Sequence, residues 1–204
     1  MDKIDLRKTL KEYNPQKKTE IRIIPAMRFI MIDGQDARQD NVNFQEAIET
    51  LFSVAYKTKF LIKKTRSVDY AVMPLEGLWW ADDPNDFING RKDRWKWTLM
   101  IMQPDWVTDD DISFATEEAR KKAPNDPLER LRVETFTEGT CAQVMYVGPY
   151  SEEHVTIMDI HETIKKEGGT FNGTMQKHHE IYISDFRKTA PDKLKTILRQ
   201  PFIQ

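Results

Sequence analysis

Residues 27–55 read MRFIMIDGQDARQDNVNFQEAIETLFSVA, and residues 141–167 read CAQVMYVGPYSEEHVTIMDIHETIKKE. Each stretch passes from a β-rich run, through a turn containing glycine, into a helical pattern. In the first, Met27 to Ile32 is the strand and Asp33-Gly34 the turn signal. Phe44, Ala47, Ile48, Leu51, Phe52 and Ala55 then form one apolar face, which predicts a helix over Phe44 to Lys59. Asn43 is its expected cap, with Glu46 three residues on in a capping-box arrangement. In the second, Cys141 to Val147 is the strand and Gly148-Pro149 stops it. Ser151 is the expected cap of a helix that runs to about Glu167 and ends at Gly168-Gly169.

Working outward, the flanks repeat as well. Glu20 to Ile24 precedes the first stretch across Pro25, and Leu131 to Thr137 precedes the second across Glu138-Gly139. Strands are expected after each helix, over Tyr70 to Leu75 and Trp95 to Gln103, then over His178 to Ile183 and Lys195 to Arg199. Ile30-Met31-x-x-Gly34 matches Val144-Met145-x-x-Gly148. Thr98-Leu-Met precedes Gln103-Pro104 as Thr196-Ile-Leu precedes Gln200-Pro201. Each half therefore reads strand, strand, helix, strand, strand. One helix covers half a sheet poorly, so the halves are expected to pack together. The expected fold is α+β: a curved antiparallel sheet with helices on one side, leaving the opposite face or the cleft between the halves for a ligand. The plain alternative is a duplicated domain without a pocket. One domain spans 1–204. It comprises a polar arm over 1–18 with a short helix over Asp5 to Tyr13, repeat one over about 20–105, a linker helix over about 108–123 and repeat two over about 130–204. The linker helix opens on Thr108-Asp-Asp-Asp111, closes on Arg120-Lys-Lys122 as its dipole favours, and stops at Pro124 to Pro127.

Composition narrows the function. At 204 residues the chain can bury a self-sufficient core. Lys plus Arg number 31 against 33 Asp plus Glu, so nothing marks nucleic acid as the main partner. No secretory signal and no membrane-spanning run is present, and the expected location is the cytoplasm. Cys141 is the lone cysteine, which removes intramolecular disulfides and CxxC chemistry. There is no P-loop, no GxGxxG after a strand and no GxSxG elbow, so no cofactor is expected. His178-His179-Glu180 cannot converge on a metal, because neighbours on a strand point to opposite faces. The unusual feature is five tryptophans, Trp79, Trp80, Trp95, Trp97 and Trp106, in one short middle stretch.

Several segments are similar to the GyrI-like small-molecule-binding superfamily. They are Phe29-Ile-Met-Ile-Asp-Gly34, Phe44-Gln-Glu-Ala47, Val54-Ala-Tyr56, Met145-Tyr-Val-Gly-Pro-Tyr150 and His179-Glu-Ile-Tyr-Ile183. Met73-Pro-Leu-Glu-Gly-Leu-Trp-Trp80 resembles a narrower, stand-alone branch of it. The resemblance runs from about Ile21 to Ile203 and implies two pseudo-symmetric strand-helix-strand-strand units around a groove. It implies three settings: drug sensing within transcription regulators, action on DNA gyrase, and hydrolysis of the cyclopropane in DNA-alkylating natural products. No helix-turn-helix fits beside the ligand-binding fold, which disfavours the regulator. The reading that follows is a hydrolase of planar, cyclopropane-bearing genotoxins in xenobiotic defence. A non-catalytic drug-binding or sequestering protein and a gyrase modulator are the alternatives. The expected partner is a planar aromatic or cationic small molecule.

Candidate site residues follow from face and chemistry. On the strand His178 to Ile183, His178, Glu180 and Tyr182 share one face and His179, Ile181 and Ile183 the other. If the isoleucines face the helices, Glu180 points into the groove, as base or as cation anchor. The resemblance supports a pocket glutamate; the alternative is a salt-bridged sheet residue. Tyr146 is the expected donor to a ligand carbonyl, or else a packed tyrosine bonded to backbone, and Tyr150 follows it at the turn. Trp79, Trp80 and Trp97 are candidates for stacking a flat ligand, with at least two of the five tryptophans expected in the core. Glu76 is a further candidate beside the tryptophan pair. Glu134 is another, although a surface cross-strand ion pair suits it as well.

Overall fold

In a computed structural model the structure describes residues 2–38, 40–122 and 126–204, with Ile88 described by its backbone. Eight strands form one antiparallel sheet: β1 (Glu20–Ile24), β2 (Met27–Gln35), β3 (Glu76–Trp80), β4 (Lys96–Met102), β5 (Arg132–Phe136), β6 (Gly139–Val147), β7 (His178–Tyr182) and β8 (Lys195–Pro201). Among the described residues six helices accompany them: α1 (Leu6–Thr9), α2 (Val42–Arg66), α3 (Pro84–Ile88), α4 (Asp109–Lys122), α5 (Asp126–Arg130) and α6 (His154–Lys166). The expected helix stop at Pro124 lies outside the described residues. No described helix is long and apolar enough to cross a membrane.

The strand order is β1-β6-β8-β7-β3-β4-β2-β5. Read from the central β7–β3 seam, each half repeats the other: β3-β4-β2 on one side, β7-β8-β6 on the other. The outermost strands are exchanged, since β1 pairs with β6 and β5 with β2. Only Pro25 and Ala26 join β1 to β2, and only Thr137 and Glu138 join β5 to β6. In a flat sheet each of these joined pairs would stand roughly 29 Å apart, six strand spacings. Three Cα steps span at most about 11 Å. The sheet therefore curls into a half-barrel that brings its two ends together.

The outer face carries the helices. Through α2, Ala47, Leu51, Val54 and Ala55 join Ile30, Ile32, Leu99 and Ile101 in the larger core. Ile160 and Ile164 of α6 pack with Ala142, Val144 and Leu198 in a second, smaller core. The inner face buries Phe29, Met31, Met100, Met102, Ile181 and Ile197. The N-terminal segment helps to cover it: Tyr13 is buried there, Ile4 bridges to Tyr70, and the Met145 amide donates to the Gln16 carbonyl at 3.0 Å.

Several local expectations are corrected. Asp33-Gly34 is not a turn; β2 runs on to Gln35, and Gly34 is required because the Trp97 ring lies where a Cβ would sit, 2.1 Å away. The cap of α2 is Asn41 rather than Asn43, and the helix continues to Arg66, because Ile62 extends the apolar face and Lys63, Lys64 and Arg66 suit its C-terminal dipole. Ser67, at φ 58°, ends it. The strand expected over Tyr70 to Leu75 is an extended run with a single bridge, and the ladder starts at Glu76. Ser151 does not cap α6; a 3₁₀ turn over Tyr150–Glu152 comes first.

Candidate functional site

The two helices leave the seam between β3 and β7 uncovered on the outer face. The register pairs Gly77 with Glu180 and Trp79 with His178, so these side chains point into the gap together with Tyr182. Loop elements close over them. From one side comes the 3₁₀ turn before α6, with the Tyr150 ring edge-on to Tyr182 at 5.9 Å. From the other comes α3, whose Phe87 stacks on Trp95 at 4.3 Å and lies 6.2 Å from the His178 ring. Trp79 is wedged between Trp95 and Phe44 of α2 at 6.3 and 5.8 Å. Gly77 makes room for it: a Cβ there would come within 2.8 Å of the indole nitrogen.

Two carboxyl groups occupy this aromatic surround. Glu180 accepts a hydrogen bond from the Tyr182 hydroxyl at 2.8 Å. Glu153, immediately before α6, is half-buried near it, with its Oε2 enclosed. Burial, reinforced by the Glu180 charge, pushes the Glu153 carboxyl up to about 9, and Lys92 opposes this only weakly. Burial and Glu180 likewise raise the Tyr150 hydroxyl to about 12. Burial, with the His178 charge, lowers His161 on α6 to about 4, so its imidazole is neutral at pH 7. Among the described residues, three buried polar atoms here have no hydrogen-bond partner: Trp79 Nε1, His178 Nε2 and Glu153 Oε2. His178 Nε2 lies 3.5 Å from a Glu180 oxygen without meeting hydrogen-bond geometry. Buried polar groups are nearly always paired, so such a concentration of unpaired groups marks a place for a polar ligand or water. The site can hold a flat ligand against aromatic walls, offer a proton from Glu153 and accept one at Glu180.

The structure thus gathers Glu180, Tyr182, His178, Tyr150 and Trp79 in one site and places the other candidates elsewhere. The residues of β7 share faces as expected, but the orientation is reversed: Ile181 lies on the inner face, and Glu180 lies on the helix side, in the gap the helices leave. Tyr146 donates to the Pro149 carbonyl at 2.9 Å, so its hydroxyl is committed to its own turn. Trp97 is fully buried between Gly34 and Phe44. Trp80 points to the inner face, with Lys177 Nζ 3.6 Å from its ring centroid. Glu134 pairs with Arg132 of its own strand at 2.9 Å, not across strands.

Glu76 is fully buried on the inner face inside a network of charges. It accepts from the Tyr13 hydroxyl at 2.6 Å and contacts His179 Nε2 at 3.0 Å. His179 Nδ1 meets Glu138 at 2.8 Å, and Arg199 donates to Glu138 at 2.6 Å, to Gln143 at 3.0 Å and to the Glu12 carbonyl at 2.8 Å. Burial alone would depress the His179 imidazolium, but Glu138 and Glu76 outweigh it and raise its pKa. Burial opposes the Glu138 carboxylate, yet the charges of His179 and Arg199 hold it at about 2. With Glu76, His179 and Arg199 fully buried and their side-chain groups partnered among the described residues, the network is structural.

Residue reasoning missed Glu153, Phe87 and Trp95 as site members. Trp95 carried a signal, as one of five clustered tryptophans. Glu153 carried almost none, because an acid at a helix start is ordinary.

Residues 17–201 match the GyrI-like small molecule binding domain. An uncharacterized conserved protein from Listeria innocua is 41% identical over 98% of this chain and 100% of its own, with a TM-score of 0.89. A hydrolase from the same organism is 39% identical over 98% and 100%, with a TM-score of 0.84. The hydrolase encoded by lin2189 of Listeria innocua is 39% identical over 99% and 100%, at 0.83. No curated protein matches the chain. A family match across nearly the whole chain, joined to the duplicated half-barrel and its groove, makes this protein a member of the GyrI-like family, built around a small-molecule-binding domain.

Proposed function

We propose that the site between α2 and α6 hydrolyses planar electrophiles bearing a carbonyl-activated cyclopropane, as a defence against genotoxic compounds. The observation that carries this reading is the pairing of Glu180 with Glu153 among aromatic rings and unpartnered polar atoms. A carboxyl that burial keeps protonated, Glu153, can serve as the acid, with Glu180 beside it as the base. Glu180 removes a proton from water as the water oxygen bonds to a cyclopropane carbon. The ring C–C bond breaks, and its electrons pass through the conjugated carbonyl to give an enol. The Glu153 carboxyl supplies the proton to that oxygen. The proton on Glu180 then returns to Glu153 through solvent as the enol becomes the ketone. Trp79, Phe87 and Trp95 hold the flat ring system. The role first considered for Tyr146 passes to Glu153, because the Tyr146 hydroxyl is bonded to Pro149. The two Listeria innocua relatives described as hydrolases favour turnover over storage.

The test incubates a cyclopropane-bearing DNA-alkylating compound with the protein and follows it by mass spectrometry. Gain of one water over many turnovers, lost in Glu180→Gln with binding retained, is the expected result. A second reading, sequestration of a cationic aromatic molecule, draws on the same carboxyl pair inside an aromatic cage. It predicts an unchanged compound and a loss of affinity, not of turnover, in Glu180→Gln.

A further inference from the structure

Trp79 and Trp80 are neighbours on β3 and point to opposite faces of the sheet; beside them His178 opens β7 on the Trp79 side, and Lys177, just before that strand, lies over Trp80. The outward pair, Trp79 and His178, belongs to the site above. The inward pair, Trp80 and Lys177, lies at the mouth of the half-barrel, where a cleft of about 540 Å³ opens between the ends of β2 and β4, α5 and the start of β5. Four cations line it. Lys96 is held by Asp82 at 2.7 Å, Arg130 by Asp126 at 3.1 Å, and Arg132 by Asp33 at 2.8 Å and by Glu134. Lys177 is different: among the described residues no carboxylate lies within ion-pair distance of it, and its ammonium rests on the face of Trp80. It is half-buried, and burial holds its pKa below the ordinary lysine value, with Asp33 offsetting this only in part. A partly desolvated cation facing an open cleft, resting on an indole and with no ion-pair partner among the described residues, is an unfilled place for an anion. The indole beneath it is a platform for a flat ring.

We propose that this cleft is a second binding site, which takes a planar aromatic carboxylate that stacks on Trp80 and sets its anionic group on Lys177, with Arg132 beside it. Its ligand is opposite in charge to the cation of the second reading above, and the proposal stands whether or not the outer site is catalytic.

The test is calorimetric titration of the whole protein with naphthalene-2-carboxylate and with its uncharged isostere naphthalene-2-carboxamide. The carboxylate is expected to bind roughly tenfold more tightly, the scale of one charge-assisted hydrogen bond. Lys177→Met abolishes the difference, Trp80→Leu weakens both ligands, and Glu180→Gln changes neither. Arg132→Gln, which reduces the carboxylate's advantage, keeps the test available if Lys177→Met does not fold. Equal binding of the two compounds, no binding of either, an advantage that survives Lys177→Met, or one that disappears in Glu180→Gln would each overturn the proposal.

Discussion

At the scale of single residues, Glu153 is the group on which the proposed chemistry turns most sharply. Its carboxyl stays protonated until about pH 9, so a reaction that needs its proton has an alkaline limb there. The rate with a cyclopropane substrate should therefore fall above about pH 9, and Glu153→Gln should remove that limb and lower kcat by roughly a hundredfold, within the usual range for a general acid. A pH–rate profile of both proteins checks this. Glu180 was legible in the sequence as a face-sharing neighbour of His178 and Tyr182, because strand alternation needs no tertiary information. Which face met the helices was not legible. Ile181 is apolar whether it meets a helix or the N-terminal segment, and the inner face buries apolar side chains as the outer one does. Glu153 could not be found from its own position, since its partner lies on a strand some 27 positions further along the chain.

Among the elements, the helix patterns were the most legible and their ends the least. Helix α2 showed its apolar face at once, but its end was expected at Lys59 and lies at Arg66. The Asn41 side chain accepts from the Asn43 amide, so Asn41→Ala should cost about 1 kcal/mol, seen as a shift in the denaturant midpoint without a change in slope. Strand β3 was expected one segment early, over Tyr70 to Leu75, and its ladder begins only at Glu76. Gly77 is the space that seats Trp79. Gly77→Ala forces the indole to move and should cost about 1–3 kcal/mol by overpacking, with an altered Trp fluorescence spectrum and weakened ligand binding as the signature. A change that lowered stability alone would mean that Trp79 is only core.

For the whole molecule, the duplicated plan and the curved antiparallel sheet followed from the repeat, but the exchange of β1 and β5 between halves did not. Glu20 to Ile24 precedes β2 as a hairpin partner would, and nothing local says that it pairs with β6 instead. The charged network under the N-terminal segment ties this arrangement together. Glu138 sits in the two-residue link between β5 and β6, and holds His179 of β7 and Arg199 of β8. Glu138→Gln leaves Arg199 buried without its carboxylate, a loss of about 3 kcal/mol or roughly 6–12 °C in Tm. The network also sets a pH window. With Glu138 held at about 2, its contribution is complete above the ordinary carboxylate range and fades as the pH falls toward that value. With His179 raised, its contribution is complete below the ordinary histidine value and fades as the pH rises through the folded one. Stability from this cluster is greatest between about pH 4.5 and 6.5, and thermal melts across pH should show that plateau sloping on both sides, with a smaller acid slope in Glu138→Gln.

The exchanged edge strands carry one more consequence. Because β1 completes the far half and β5 completes the near one, neither half is a self-contained folding unit, and the first strand must wait until more than a hundred further residues exist before it can pair. Folding of such a topology is slow, and a chain cut between α4 and β5 yields two incomplete pieces. The arrangement is a strand swap carried out within one polypeptide. A chain of half the length, carrying one repeat and its leading strand, would satisfy the same pairing only by trading that strand with a second copy of itself.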